Sequence, residues 1–336
     1  MKFSQLLSIA RGLSPPAHSC KGETFSALPL PGQSRYHVAK DVKGLLSVLI
    51  SPADSVQAPQ GLPVALENLT IRPNVECIIT IDGSVQGGKF TIITCLDANE
   101  SVIEMFLRVM VSIAEMLGPE PKQNSLIAVI EQVVRLFRSL SGQARKTIQG
   151  LWSELLIISE SSDPHMLIQS WHATPAERWD FASGNQRIEV KSTTGVVRSH
   201  YFSLDQLSPP TSTSLVIASI FVERAGGGSS AEDLSCQIRK MLPHYPESLL
   251  KLDEVVVTSL GLSWQSTIEE CFDLECALDS LRYFDAHVIP SIRCSLSPQI
   301  SDVRFRADLS ECVTVECDEL RKRGGIFSAL GSRRPT

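Results

Sequence analysis

The sequence predicts an α/β protein, α+β overall, in which a mixed sheet flanked by helices follows a β-rich N-terminal domain. Three observations predict it. Short β-branched runs crowd residues 35–96, the periodicity changes after Gly118-Pro119-Glu120-Pro121, and a nearly unbroken apolar run at 215–222 sits among helical patterns.

The front comes first. Residues 42–50, 64–71, 75–81 and 89–95 are β-branched runs separated by the turn signals Asp82-Gly83 and Gly87-Gly88. Residues 99–117 then read as an amphipathic helix, with Val102, Met105, Phe106, Val109 and Ile113 at helical spacing. The Gly118–Pro121 break stops it and marks the expected boundary between a domain over 1–120 and a second over 121–336.

Behind the break, helices are expected at 125–140, 144–159 and 163–171, the last with Asp163 as N-cap and Pro164 at its first position. Strands are expected at 178–181, 186–192, 198–204 and 215–222, the last apolar enough to be buried on both faces. Gly226-Gly227-Gly228-Ser229 leads into a helix expected at 231–241. Residues 246–290 look mostly helical, 303–309 like a late strand, and the tail after Arg321 basic, Gly-rich and loose.

Composition narrows the function. With 43% apolar and 20% charged residues, the 336-residue chain can bury a sizeable core. Arg11 and Pro15-Pro16 cut short the apolar stretch near the start, and nowhere do roughly 18 uncharged apolar residues run together. A cytoplasmic protein is expected, with no membrane partner. The nine cysteines form no C-x-x-C pair, so they read as small core residues rather than zinc ligands. A net charge of −6 argues against a broad nucleic-acid-coating surface, although residues 121–230 hold ten Lys/Arg against nine Asp/Glu.

The chemistry lies at Trp179-Asp180-Phe181, a turn at 182–185, then Ile188-Glu189-Val190-Lys191-Ser192. Alternate residues of a strand share a face. Ile188 and Val190 therefore point into a core, while Glu189 and Lys191 point together to the other side. The turn brings Asp180 alongside them. Phosphodiester hydrolysis needs a divalent cation, which magnesium chemistry supplies from one or two carboxylates plus water and phosphate. A nearby lysine can orient water and hold phosphate charge. Glu154 adds to this, because a carboxylate in the middle of an apolar helical face needs a partner such as a metal. E-x-K alone recurs on solvated strands. The combination carries the reading.

Gly226–Gly228 lacks the phosphate-loop pattern, no G-x-S-x-G is present, and His165 and His172 stand without a ligand cluster. The tail bases Arg321, Lys322, Arg323, Arg333 and Arg334 read as solvated.

The set 150–156 (Gly-Leu-Trp-Ser-Glu-Leu-Leu), Trp171, Trp179-Asp180-Phe181, 188–192 and Ser203-Leu204-Asp205-Gln206-Leu207 resembles a bacterial group described as PD-(D/E)XK motif proteins, DUF4420. The resemblance implies a restriction-endonuclease-like core over most of the chain. It also implies metal carboxylates at Asp180 and Glu189, a catalytic lysine at Lys191, a helix glutamate at Glu154 that joins the metal, and a glutamine at Gln206. Trp179 stands where the family's name has proline. The expected activity is a Mg²⁺-dependent DNA endonuclease, with Mn²⁺ able to substitute, acting in anti-phage defence beside partner proteins. Self-association as a homodimer is left open. The rival expectation is a non-catalytic nuclease-fold module that binds nucleic acid or scaffolds a defence complex; RNA cleavage would use the same chemistry.

Overall fold

The Asp82-Gly83 pair turns the chain with positive φ at both residues, 47° and 81°, as a two-residue hairpin requires. It joins two long strands of the first unit. The computed structural model describes residues 3–16, 23–53, 62–140, 142–144, 146–172, 178–292 and 299–331. It divides into Met1–Ser141 and Gly142–Thr336. Cys20, Cys294, Arg333 and Arg334 lie outside the described residues, and no disulfide joins the described cysteines.

The first unit holds α1 (Phe3–Gly12), β1 (Glu23–Leu30), β2 (Gln33–Lys40), β3 (Leu46–Ile50), β4 (Val64–Ala65), β5 (Leu69–Ile81), β6 (Ser84–Cys95), α2 (Glu100–Leu117) and α3 (Gln123–Leu140). The strands run β1-β2-β3-β6-β5-β4, and β1 also pairs β5 in parallel. That closes a barrel, so the long strands keep few free edges. Phe25, Leu49, Ile79, Phe90 and Ile92 fill its interior.

Two expectations change here. Gly87-Gly88 is not a turn: both residues pair within the β5–β6 ladder, opposite Ile78 and Cys77. A Cβ on Gly88 would stand 2.9 Å from the Phe90 ring, so the glycine makes room for an aromatic side chain. The division of the chain falls after Ser141 rather than near residue 120. Gly118, at φ 69°, turns α2 into α3, whose Phe137 meets Phe106 of α2 edge-on with ring centroids 6.2 Å apart. A Gly-Pro stop reads the same whether the next helix packs back or leaves.

The second unit holds α4 (Ile148–Ser159), α5 (Pro164–Ser170), β7 (Phe181–Ser183), β8 (Gln186–Thr193), β9 (Ser199–Ser203), β10 (Ser214–Phe221), β11 (Arg224–Ser230), α6 (Ala231–Met241), α7 (Pro246–Leu260), α8 (Trp264–Thr267), β12 (Cys271–Phe272), α9 (Leu274–Ser280), β13 (Arg282–Asp285), β14 (Arg304–Asp308) and α10 (Cys317–Lys322). Its main sheet runs β13-β10-β8-β7; β10 lies parallel to β8, and the two outer pairings are antiparallel. β10 is central, and six of its eight residues are buried, as its unbroken apolar run requires. β9 pairs β14 separately. This mixed α/β arrangement is consistent with a PD-(D/E)XK-like fold.

Local chemistry sets the boundaries. Asp163 accepts the Met166 N–H and Pro164 opens α5, as the sequence suggests. α4 starts at Ile148 rather than 144, because Thr147 caps it by accepting the Gly150 N–H. The strand expected at 178–181 begins only at Phe181. Gly226–Gly228 lies in β11, which leads into α6 as expected; a Cβ on Gly228 would meet the Phe272 carbonyl of β12 at 2.0 Å. Residues 246–290 are not wholly helical, since Tyr283 and Phe284 of β13 pair with β10.

Over its described residues, to Gly331, the tail is not loose. Residues Gly325–Ala329 form a 3₁₀ turn with Ile326 and Phe327 buried. The Gly324 carbonyl accepts from Gln186 Nε2, and the Ala329 carbonyl from Ser161 Oγ. Ala329 and Leu330 are buried as well, so four apolar residues and these hydrogen bonds seat the segment. Among the described residues, no helix is long and apolar enough to cross a membrane.

Candidate active site

The site grows from the β7–β8 hairpin, turned at Gly184 (φ 53°) and Asn185. Phe181 stands opposite Ile188, so Asp180 enters just ahead of the paired residues. The Trp171–Phe181 bridge and the His172 N–H, which donates to the Asp180 carbonyl at 2.9 Å, pin its backbone. Asp180 Oδ2 accepts the Val190 N–H at 2.9 Å, fixing the carboxylate across the hairpin.

Burial along β8 does not follow strict alternation: Glu189 is buried like its neighbour Ile188, while Val190, expected in the core, is only half-buried. Ile188 is fully buried on one face, and Glu189 and Lys191 share the other. Lys191 Nζ lies 2.7 Å from Glu189 Oε1. Gln206, on the turn after β9, donates its Nε2 to the same oxygen at 2.7 Å and accepts from Lys191 at 3.3 Å. Gln206 is itself fixed, for its Oε1 also accepts the Ser203 N–H and its carbonyl accepts from Trp179 Nε1.

Glu154 projects from α4, ten of whose twelve residues are buried. Its Oε2 accepts from Trp171 Nε1 at 2.6 Å. Lys146 lies 2.5 and 2.7 Å from its two oxygens and 2.8 Å from Asp180 Oδ1. The structure therefore brings Glu154 and Asp180 onto one ammonium, and Glu189, Lys191 and Gln206 into a second cluster beside them. Both oxygens of Glu154 are engaged, so its present part is to hold Lys146 and the Trp171 indole rather than to offer a free ligand.

Burial and mutual charge set the electrostatics. Burial, reinforced by Asp180, pushes Glu189 up to about 7 against the pull of Lys191 and Lys146. Burial and Asp180 likewise push Glu154 up, with Lys146 and Trp171 opposing. Burial acts on Asp180 in the same direction, but the Lys146 ammonium, the Val190 N–H and Lys191 outweigh it and hold Asp180 below the usual carboxylate range. Burial would lower Lys146, yet its two carboxylates raise it above the ordinary lysine value.

A family model described as "Putative PD-(D/E)XK family member, (DUF4420)" matches residues 11–310. The chain belongs to this family. The match spans both units, and the family description points to a nuclease. No curated protein and no solved structure matches the chain.

PD-(D/E)XK nucleases typically use divalent metals, and the donor set of this DUF4420 chain fits one. Asp180 and Glu189 offer hard oxygen donors, and positive charge at these carboxylates is already supplied by ammonium groups. Among the described residues, no three His, Cys, Asp or Glu side chains form a ready-made metal group. Two carboxylates completed by water and phosphate are a set that magnesium accepts.

Lys146 and the indole of Trp171 were not legible as partners of Glu154. A signal for Lys146 did exist. A cation just ahead of a helix N-terminus opposes the helix dipole, so a lysine beside the Thr147 cap calls for a compensating anion. His165 is an ordinary structural residue, its Nδ1 2.8 Å from Ser248 Oγ and its ring stacked on Tyr245.

Proposed function

We propose that this protein is a Mg²⁺-dependent endonuclease that hydrolyses phosphodiester bonds in DNA, Mn²⁺ being able to substitute, and that it acts in the cytoplasm in anti-phage defence with partner proteins. One observation carries the reading: Asp180, Glu189, Lys191 and Gln206 converge at the end of the β7–β8 hairpin. Asp180 and Glu189 would hold the cation. When bound, it would supply charge neutralisation at the phosphate and lower the pKa of an attacking water.

The chain's own groups do the rest. Lys191 is placed to hold phosphate charge or orient the water, and Gln206 keeps Glu189 and Lys191 aligned. Beside Lys191 lies a cavity of about 750 Å³ lined by Arg178, Tyr201, Gln206 and Arg304, among others. It offers cationic side chains and an exposed ring to a nucleic-acid strand.

The test is incubation of the purified protein with plasmid, linear and single-stranded DNA and with RNA, plus Mg²⁺ or Mn²⁺. Cleavage of DNA that Asp180→Ala abolishes supports the reading; inactivity with every substrate and metal rejects it.

The net charge of −6 and the pairing of every site carboxylate with a lysine favour a second reading, a non-catalytic nuclease-fold module. A Mn²⁺ titration separates the two, because a scaffold has no need to bind metal at Asp180 and Glu189.

A further inference from the structure

Lys146 is the best-connected cation of the site, yet neither the hairpin motif nor strand alternation calls for it. Its backbone is fixed, because its N–H donates to the Ser259 carbonyl of α7 at 3.0 Å and the next residue, Thr147, caps α4. Its side chain reaches back to two carboxylates that are 4% and 14% exposed. Of Asp180's two oxygens, Oδ2 accepts the Val190 N–H across the hairpin, and Oδ1, which faces a side-chain ammonium instead of a backbone donor, is the oxygen better placed to take a metal. Lys146 Nζ sits on that Oδ1. Glu154 gives Lys146 both of its oxygens.

We propose that Lys146 is a built-in counter-cation, tethered by Glu154, that competes with a divalent cation for Asp180 and must leave Oδ1 before the cation binds there. The proposal rests on the metal-dependent reading above. Glu154 is then a positioning residue: it retains the ammonium inside the site after the exchange, when the cation neutralises Asp180 and the buried Glu154 carboxylate still needs a counter-charge. A lysine suits the task because its charge rides on a flexible four-carbon stem that can shift without backbone movement. Like charges at contact distance in a poorly hydrated site repel strongly, so ammonium and divalent cation cannot both sit on Oδ1.

The experiment is calorimetric titration of the full chain with Mn²⁺, together with the rise in Tm that Mn²⁺ produces. Lys146→Met should bind Mn²⁺ at least about tenfold more tightly than wild type and show a larger metal-dependent rise in Tm. Lys146→Arg, which keeps the charge, should stay near the wild-type affinity. A purely structural role predicts the opposite, since a damaged site binds metal less well. Should Lys146→Met fail to fold with two unneutralised carboxylates, Lys146→Met combined with Glu154→Gln keeps an acceptor for Trp171, removes one charge, and should still bind more tightly than wild type. Affinity unchanged or lowered in whichever of the two Lys146→Met variants folds, single or combined with Glu154→Gln, overturns the proposal. Asp180→Ala and Glu189→Ala separate the two readings. If both bind Mn²⁺ like wild type, the metal-dependent reading itself fails. If both lose binding while Lys146→Met gains nothing, only the Lys146 proposal fails.

Discussion

Trp171 donates its indole N–H to Glu154 Oε2 at 2.6 Å, and both residues are buried. From the sequence alone, Glu154→Ala would shed a carboxylate from an apolar face and gain stability; this bond argues for the opposite. In the folded chain the substitution strips a buried donor and leaves Lys146 with Asp180 alone. Removing one partner of a buried ion pair costs about 3–5 kcal/mol. Glu154→Ala should therefore lower stability by that order in urea denaturation, and Glu154→Gln by distinctly less. A gain in stability for the alanine variant would show that Trp171 and Lys146 find other partners.

Lys191 and Asp180 should separate chemistry from metal binding. Lys191 pairs with Glu189, so Lys191→Ala removes a competing charge and should abolish cleavage while metal affinity stays level or rises. Asp180→Ala should lose both, because it deletes a ligand oxygen and the acceptor that fixes Val190. Parallel cleavage assays and Mn²⁺ titrations decide. Loss of metal binding in Lys191→Ala would contradict the assignment.

Glu189 gives a pH signature in the metal-free chain. Folding raises its pKa from the model-compound value of 4.5 to about 7, so between those values the folded state binds the proton more tightly. Stability from this group is fully present below pH 4.5 and falls as pH rises to about 7. Glu189→Gln mimics the protonated form and keeps an acceptor for Gln206 and Lys191. It should match wild type near pH 4.5 and exceed it at pH 8, by at most about 3 kcal/mol. Melting curves at the two pH values check it; equal differences at both would remove Glu189 as the cause.

Gly261 lies against the backbone of Gly142 and Gln143, a few residues ahead of Lys146. It ends α7 at φ 50°, and a Cβ there would stand 2.2 Å from the Gly142 carbonyl. That contact seats the segment leading to Lys146, whose N–H is held by Ser259. Gly261→Ala should destabilise the protein by more than the ~1 kcal/mol that a positive φ alone costs, because the added Cβ also meets backbone. It should also weaken cleavage although residue 261 bears no side chain in the site. A variant with wild-type stability and rate would mean the segment shifts at no cost.

Residues close in sequence were the legible ones. The β7–β8 hairpin, the shared face of Glu189 and Lys191, the Asp163 cap and the buried β10 all follow from spacing, because strand alternation and capping act over a few residues. Glu154 was conspicuous for the same local reason, a carboxylate in an apolar helix. Only the tertiary structure decided what answers it. Lys146 reaches Asp180 across 34 residues, and Trp171 reaches Glu154 across 17. Gln206 settles on Glu189 because β9 carries it there. The barrel closes through a parallel β1–β5 pairing that no local pattern announces. α3 joins the first unit, and the Gly-rich tail docks through Ile326 and Phe327. In each case the deciding quantity is burial: removal from water makes an unpaired charge or an exposed ring costly, and burial is a property of the packed chain rather than of any short stretch of it.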